Sequence, residues 1–292
     1  MNAFTIKDLE NLSGIKAHTI RIWEQRYAFL KPQRTQTNIR YYSNEELKVI
    51  LNVALLNKYG FKISHINKMG DGGVLEKIMS LNQLQAQNER IVNELIGHMA
   101  DLNMDEFETV LDNYIFSNGI EKSITQMIFP FLEKTGILWI TNHINPAQEH
   151  LVSNIIRQKL IVGIETTRSN ISINKTILLF LPEGEYHELG LLFIHYLLKT
   201  RGVNVWYLGA NVPLRDLEFV INAKKPDLIH THLTSVSNNF NFEKFLTRLE
   251  LVTENIPVMV SGQMTRNYKK KIPGNVNFIN TLHDVVVLIE GL

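Results

Sequence analysis

The densest chemistry in the chain lies in one short run, Glu183-Gly-Glu185-Tyr-His187-Glu-Leu-Gly190. His187 has a carboxylate two residues before it. A carboxylate that accepts the Nδ1 proton of an imidazole fixes the tautomer and makes Nε2 the more basic nitrogen, which is how a metal-bound histidine is supported. One imidazole does not hold a bare ion, so a metal at His187 must arrive with most of its ligands already supplied. A structural histidine is the plain alternative. The run lacks a GxGxxG turn and so is not a dinucleotide fingerprint. Cysteine is absent from the whole chain, which excludes a thiolate nucleophile, a Cys-ligated metal and a disulfide framework.

A second set of residues sits near the N-terminus. Lys16, His18, Thr19 and Arg21 fall in the first half of a short helical segment, where a recognition helix meets base edges. Arg34 and Arg40 can neutralise phosphates, and Tyr41 or Tyr42 can hydrogen-bond a phosphate or pack under the segment that carries it. Charge supports this. The 292-residue chain balances 30 Lys and Arg against 29 Asp and Glu, but residues 1–69 hold 11 of the former and 5 of the latter. A basic head on an acidic body localises any contact with double-stranded DNA to the head.

The elements that position these residues can be read in order. Thr5 to Asp8 is a capping box opening a helix over about 6–12. Ser13-Gly14 ends it, and a second helix follows over about 16–27. Residues 33–42 suit a two-stranded wing. Ser43 to Glu46 is another capping box, for a helix over 45–59. Gly70-Asp-Gly-Gly73 reads as a linker. Residues 74–168 read as helix throughout, forming a bundle of about four helices. Phe107, Val110, Leu111, Tyr114 and Ile115 make an apolar stripe, with Asn103 as cap and Gly119 just past the end. Asn145-Pro146 starts the last helix of the bundle. Residues 172–292 then alternate: strands over 175–182, 203–208, 228–233, 257–260 and 276–279, separated by helix-length segments, the first over 187–200. That alternation implies a parallel sheet with helices on both faces and a ligand beyond its carboxyl edge.

Several of these motifs resemble known families. Phe4-Thr-Ile, Gly14-Ile15, Thr19-Ile-Arg-Ile-Trp-Glu24, Arg26-Tyr27, Leu30-x-Pro32-x-Arg34 and Arg40-x-Tyr42 run in order without gaps and resemble the MerR family of winged regulators. Glu185-x-His187-x-x-Gly190 resembles the Asp/Glu-x-His-x-x-Gly motif of cobalamin-binding domains. Thr231-His-Leu233, 40 residues past Gly190, is similar to the later Ser-x-Leu element of those domains, and Ser261-Gly262, after 27 more, to their Gly-Gly element. Trp139, then nine residues, then Glu149-His150 resembles the signature of the CarH/CarA-like group of B12-dependent photoreceptors.

The resemblance implies an α/β plus α chain in three parts: a winged helix-turn-helix head (1–72), a helical-bundle cap (74–168) and a Rossmann-like, doubly wound cobalamin-binding domain (172–292). It implies His187 as the lower axial cobalt ligand, with Gly190, Thr231, Leu233, Ser261 and Gly262 lining the cofactor and Trp139, Glu149 and His150 facing the adenosyl group of adenosylcobalamin. Where the group carries a histidine after the Trp, this chain has Ile140, which cannot ligate cobalt; His143 or His150 would have to substitute. The function implied is a non-enzymatic, cytoplasmic transcriptional repressor. Its dimeric or tetrameric assembly on a DNA operator would depend on adenosylcobalamin and light, and no membrane contact is expected. Two other readings stay open: a corrinoid methyl carrier, and a regulator whose altered cobalamin domain serves protein interaction.

Overall fold

Both capping boxes in the head form. Asp8 N–H donates to Thr5 Oγ1 at 3.3 Å while Asp8 Oδ2 accepts from Thr5 N–H at 2.6 Å, opening α1 (Ile6–Ser13). Gly14 ends α1 in the left-handed region, φ 74°, as a C-terminal glycine should. α2 (Ala17–Arg26) follows and turns Ile20 and Trp23 into the head's core. The wing is a minimal antiparallel pair, β1 (Gln33–Arg34) with β2 (Arg40–Tyr41), in which Arg34 faces Arg40. Tyr42, immediately after β2, pairs its backbone with Phe4, and both side chains are fully buried. Ser43 and Glu46 then cap α3 (Asn44–Lys58).

The computed structural model describes residues 4–27, 29–140, 144–234, 240–266 and 268–291, without the side chains of 71, 137–140, 282 and 283. The chain divides into two compact units, Met1–Ile156 and Arg157–Leu292.

In the first unit, Gly70–Gly73 is not an extended linker. It lies inside α4 (Ile63–Met79), which breaks direction at Gly70 (φ 65°, ψ 174°) and resumes as helix. Gly70 can take up the break because a glycine lacks the side chain that disfavours positive φ. α5 (Leu84–Asp101) and α6 (Met104–Asn118) pack on each other, burying Phe107, Leu111 and Tyr114; Val110 and Ile115 are half-buried. Asn103 occupies the N-cap of α6 but makes no side-chain capping bond. The apolar run from Ile120 forms α7 (Ile120–Ser123), a π-helical turn (Ile124–Ile128) and α8 (Phe129–Ile140). The wide turn directly precedes Pro130, whose ring would clash with the carbonyl four residues back in a regular helix. α9 (Pro146–Thr166) begins as expected, with Asn145 Oδ1 accepting from Ala147 N–H at 2.9 Å.

The second unit holds a five-stranded, all-parallel sheet of β3 (Ile173–Pro182), β4 (Val203–Val212), β5 (Leu228–His232), β6 (Val258–Ser261) and β7 (Val276–Ile279) in the order β4-β3-β5-β6-β7. The chain winds one way from β3 to β4 and the other way from β5 onward, so the crevice lies between the ends of β3 and β5. α10 (Leu189–Thr200) and α14 (Leu282–Glu290) cover one face. α11 (Leu214–Lys224) and α12 (Phe242–Thr253) cover the other, over Leu178, Phe180, Ile229, Val258 and Val260. Among the described residues no helix is long and apolar enough to cross a membrane.

Candidate functional site

The helix expected from His187 starts two residues later, so His187 sits in the open loop between β3 and α10, at the crevice. The loop is fixed by Glu185, whose carboxylate is fully buried and surrounded by donors. Its Oε1 accepts from the backbone N–H of Tyr186 and of His187, each at 2.9 Å, and from His187 Nδ1 at 2.6 Å. Its Oε2 accepts from Thr234 N–H, just past β5, at 2.8 Å. Asn211, at the end of β4, donates its N–H to Glu185 O at 3.2 Å and accepts from Gly184 N–H at 3.0 Å through Oδ1. The two strands flanking β3 therefore pin the loop. With Nδ1 given to a buried carboxylate and 47% of the side chain open, the imidazole is oriented to coordinate through Nε2.

Side chains alternate across a strand, and this separates the other expected residues. Ile229 and Leu233 lie in the core beneath α11 and α12, and Thr231 shares their side. Thr231 is fully buried and its Oγ1 has no hydrogen-bond partner, a cost that a bound polar group would remove. The opposite side, toward α10, carries His230, His232 and Ser261. Ser261 Oγ lies 2.8 Å from His232 Nδ1 and 2.9 Å from His230 Nε2. His232 in turn presses on Gly190, where an added Cβ would meet its Nε2 at 2.5 Å. Gly262 has φ 103°, and a Cβ there would lie 2.2 Å from the carbonyl oxygen of Leu233. Glu185, His187, Gly190, Ser261 and Gly262 thus gather at one sheet end together with His230 and His232. Sequence reasoning passed over both histidines; the signal was the alternation of residues 229–233.

Burial holds both of these imidazoles neutral. The His230 pKa is pushed down to about 3 by burial and then by His232. His232 goes down to about 4 through burial, which the Glu185 carboxylate opposes and His187 reinforces. Among the described residues, the donor set facing the crevice is one steered imidazole, which fits a metal that brings its own macrocycle. The Thr231 hydroxyl, on the opposite side of β5, is left without a partner.

In the head, Lys16, His18 and Arg21 are exposed at the start of α2, with Thr19 beside them. Lys16 Nζ stands 3.4 Å from Glu10 Oε1 and Thr19 Oγ1 is 3.3 Å from His18 Nε2. On the wing Arg34 is exposed and donates to Asn38 Oδ1 at 2.6 Å, and Tyr41 donates to Gln33. Arg40 is less available than expected, because its Nε donates to Glu24 Oε2 at 3.1 Å. Tyr42 also donates to Glu24 and is the packing tyrosine of the pair; burial, then Glu24, raises its pKa. In the first unit Glu149 and His150 lie in the opening turns of α9, His150 Nδ1 being 3.2 Å from Glu149 Oε2, and Ser153 donates to Glu149. Trp139 lies in the last turn of α8; its side chain, that of Ile140, and His143 lie outside the described residues.

Residues 4–72 match the MerR HTH family of regulatory proteins, and residues 175–291 match the B12-binding domain. The chain joins a MerR head to a B12-binding domain. It is homologous to the HTH-type transcriptional repressor CarA of Myxococcus xanthus, at 28% identity over 91% of this chain and 89% of CarA. The repressor CarH of the same organism is 27% identical over 91% of each chain. A monomethylamine corrinoid protein of Methanosarcina barkeri superposes with a TM-score of 0.52 over 70% of this chain and all of its own length. Its identity is 14%, so it speaks for the fold alone. The crevice carrying His187 lies within the B12-binding domain, and the basic face of α2 within the MerR head.

Proposed function

We propose that this chain is a DNA-binding transcriptional repressor whose assembly and operator affinity are set by adenosylcobalamin, with light as the signal that ends binding. The observation that carries the reading is the His187–Glu185 pair at the crevice of a chain that also bears a MerR head. Its working parts are a DNA-binding head (1–72), a helical cap (74–168) and a corrinoid-binding sheet domain (172–292).

In this reading His187 Nε2 would ligate the cobalt and Glu185 would hold its ring in place. Gly190, Thr231, Leu233, Ser261 and Gly262 are assigned to the cofactor as well. Trp139, Glu149 and His150 are assigned to recognition of the adenosyl group. Bound adenosylcobalamin would supply a cobalt–carbon bond that light cleaves. The chain's own part is to bind more tightly in one assembly state than in the other, since a ligand shifts an equilibrium only by its differential affinity. Heads linked in a dimer or tetramer gain by effective concentration what one head lacks in phosphate contacts. Lys16, His18, Thr19, Arg21, Arg34, Arg40 and Tyr41 form the DNA face. The role is regulatory and no residue is assigned to catalysis.

The test is a gel shift of the full chain on DNA from its own promoter region, with and without adenosylcobalamin, in darkness and after green illumination. The expected result is a cofactor-dependent shift that light abolishes and that His187→Ala lacks. A shift equally strong under all conditions, or a His187→Ala variant that retains the coenzyme through gel filtration, would overturn the proposal.

A further inference from the structure

Part of the sheet end beside His187 is already filled. A corrinoid held from below by His187 has its own lower base displaced, and that base hangs from the same face of the ring that His187 approaches. With His187 as the ligand, that base would lodge beside it, toward the start of α10 and the ends of β5 and β6. Gly190, three residues on, supplies no side chain there, yet the space it leaves is taken by the His232 imidazole, 2.5 Å from where a Cβ would stand. Gly262 gives no relief, because the Leu233 backbone crowds it at 2.2 Å. His232 is tied down: Nδ1 to Ser261 Oγ at 2.8 Å, and through Ser261 to the almost fully buried His230 at 2.9 Å.

We propose that His232, wedged against Gly190 and anchored by Ser261, makes this chain discriminate among corrinoids by their nucleotide, admitting cobalamin only when the imidazole turns out and accepting base-free corrinoids without that step. The inference rests on the reading of His187 as the cobalt ligand. The wedge is a displaceable one. Turning it out breaks one hydrogen bond, worth roughly fivefold in population, together with the packing on Gly190. Ser261 has a hydroxyl that can donate to one imidazole while accepting from the other, so it keeps His230 satisfied when His232 leaves.

The experiment uses the full chain with aquocobinamide, which has no nucleotide, and aquocobalamin, each followed by absorption during uptake and after gel filtration. Wild type should take up cobinamide faster than cobalamin by roughly tenfold or more. His232→Ala and His232→Ser, each of which removes the wedge, should speed cobalamin uptake and leave cobinamide unchanged. Equal uptake rates in wild type, or a ratio unaltered in both variants, would refute the wedge while leaving His187 as ligand. Retention of neither corrinoid, or of both by His187→Ala, would instead remove the ligand reading and the wedge with it.

Discussion

Asp101, the last residue of α5, takes the Lys48 ammonium of α3 at 2.5 Å and the Asn44 amide at 2.8 Å. These contacts bind the helix that follows the wing to the helix at the centre of the bundle. One residue earlier, the carbonyl of Ala100 accepts from Asn44 Nδ2 and from Gln148 Nε2, at 3.1 Å each. Gln148 immediately precedes Glu149 and His150, so the start of α9 and α3 of the head meet at a single helix end. Partial burial raises the Asp101 pKa, but Lys48 and Asn44 outweigh it and hold the carboxyl below its ordinary value. That contribution is present above the ordinary carboxylate range and is lost as pH falls through the depressed value. Asp101→Ala should cost about 1 kcal/mol, the scale of a half-exposed ion pair, and should speed amide exchange at the start of α3. Unchanged exchange there would show that the joint is held by other contacts.

Buried imidazoles make the sheet unit sensitive to acid. His195, stacked on Tyr207, is pushed down to about 4 by burial and by Lys199, and His230 to about 3 by burial and His232. Unfolded, both would titrate near 6.5. Between about 6.5 and 4 the unfolded chain binds protons that the folded one refuses, so stability present above that range is lost as pH falls through it. The melting temperature should drop steadily from pH 7 to 4.5, and His195→Phe should flatten the slope. An identical slope in that variant would exclude His195 as a contributor.

Gly262→Ala should be among the most damaging single changes. It forces a side chain into positive φ and against the Leu233 carbonyl at 2.2 Å, two penalties of order 1–3 kcal/mol each in comparable sites. Chemical denaturation would report the loss; a variant as stable as wild type would mean the β5–β6 connection yields easily.

On DNA, Arg21→Ala and Arg40→Ala should differ. Arg21 is exposed on α2, and its loss should weaken operator binding and reduce the salt slope by about 1 if it neutralises one phosphate. Arg40 also balances Glu24, which carries Tyr42 beneath the wing. Arg40→Ala should therefore lower the stability of the head as well as its affinity, which a melt of the DNA-free protein would reveal. A normal melt with weakened binding would confine Arg40 to the phosphate role.

Much of this architecture was legible because local rules and tertiary context agree. The Thr5–Asp8 and Ser43–Glu46 boxes, the Pro146 start and the alternation over residues 173–279 all left their mark in residue order. What escaped notice did so for physical reasons. Gly70–Gly73 reads as a linker by composition, but α4 absorbs it with one positive-φ residue. Asn103 has a capping residue's identity without a capping bond. His230 and His232 flank Thr231 and carry no motif of their own; only the side-to-side alternation of β5 puts both toward α10, with His232 against Gly190. The availability of Arg40 depended on Glu24, sixteen residues away in sequence and adjacent only once the wing folds.

The head and the helices behind it share one compact unit, with α3 fastened to α5 and no slack chain between them. Copies that assemble through those helices would hold their recognition elements at one set separation, like the points of a fixed caliper. Extra DNA between two operator halves, whether half a helical turn or a full one, would then defeat binding, because neither the angle nor the reach could adjust.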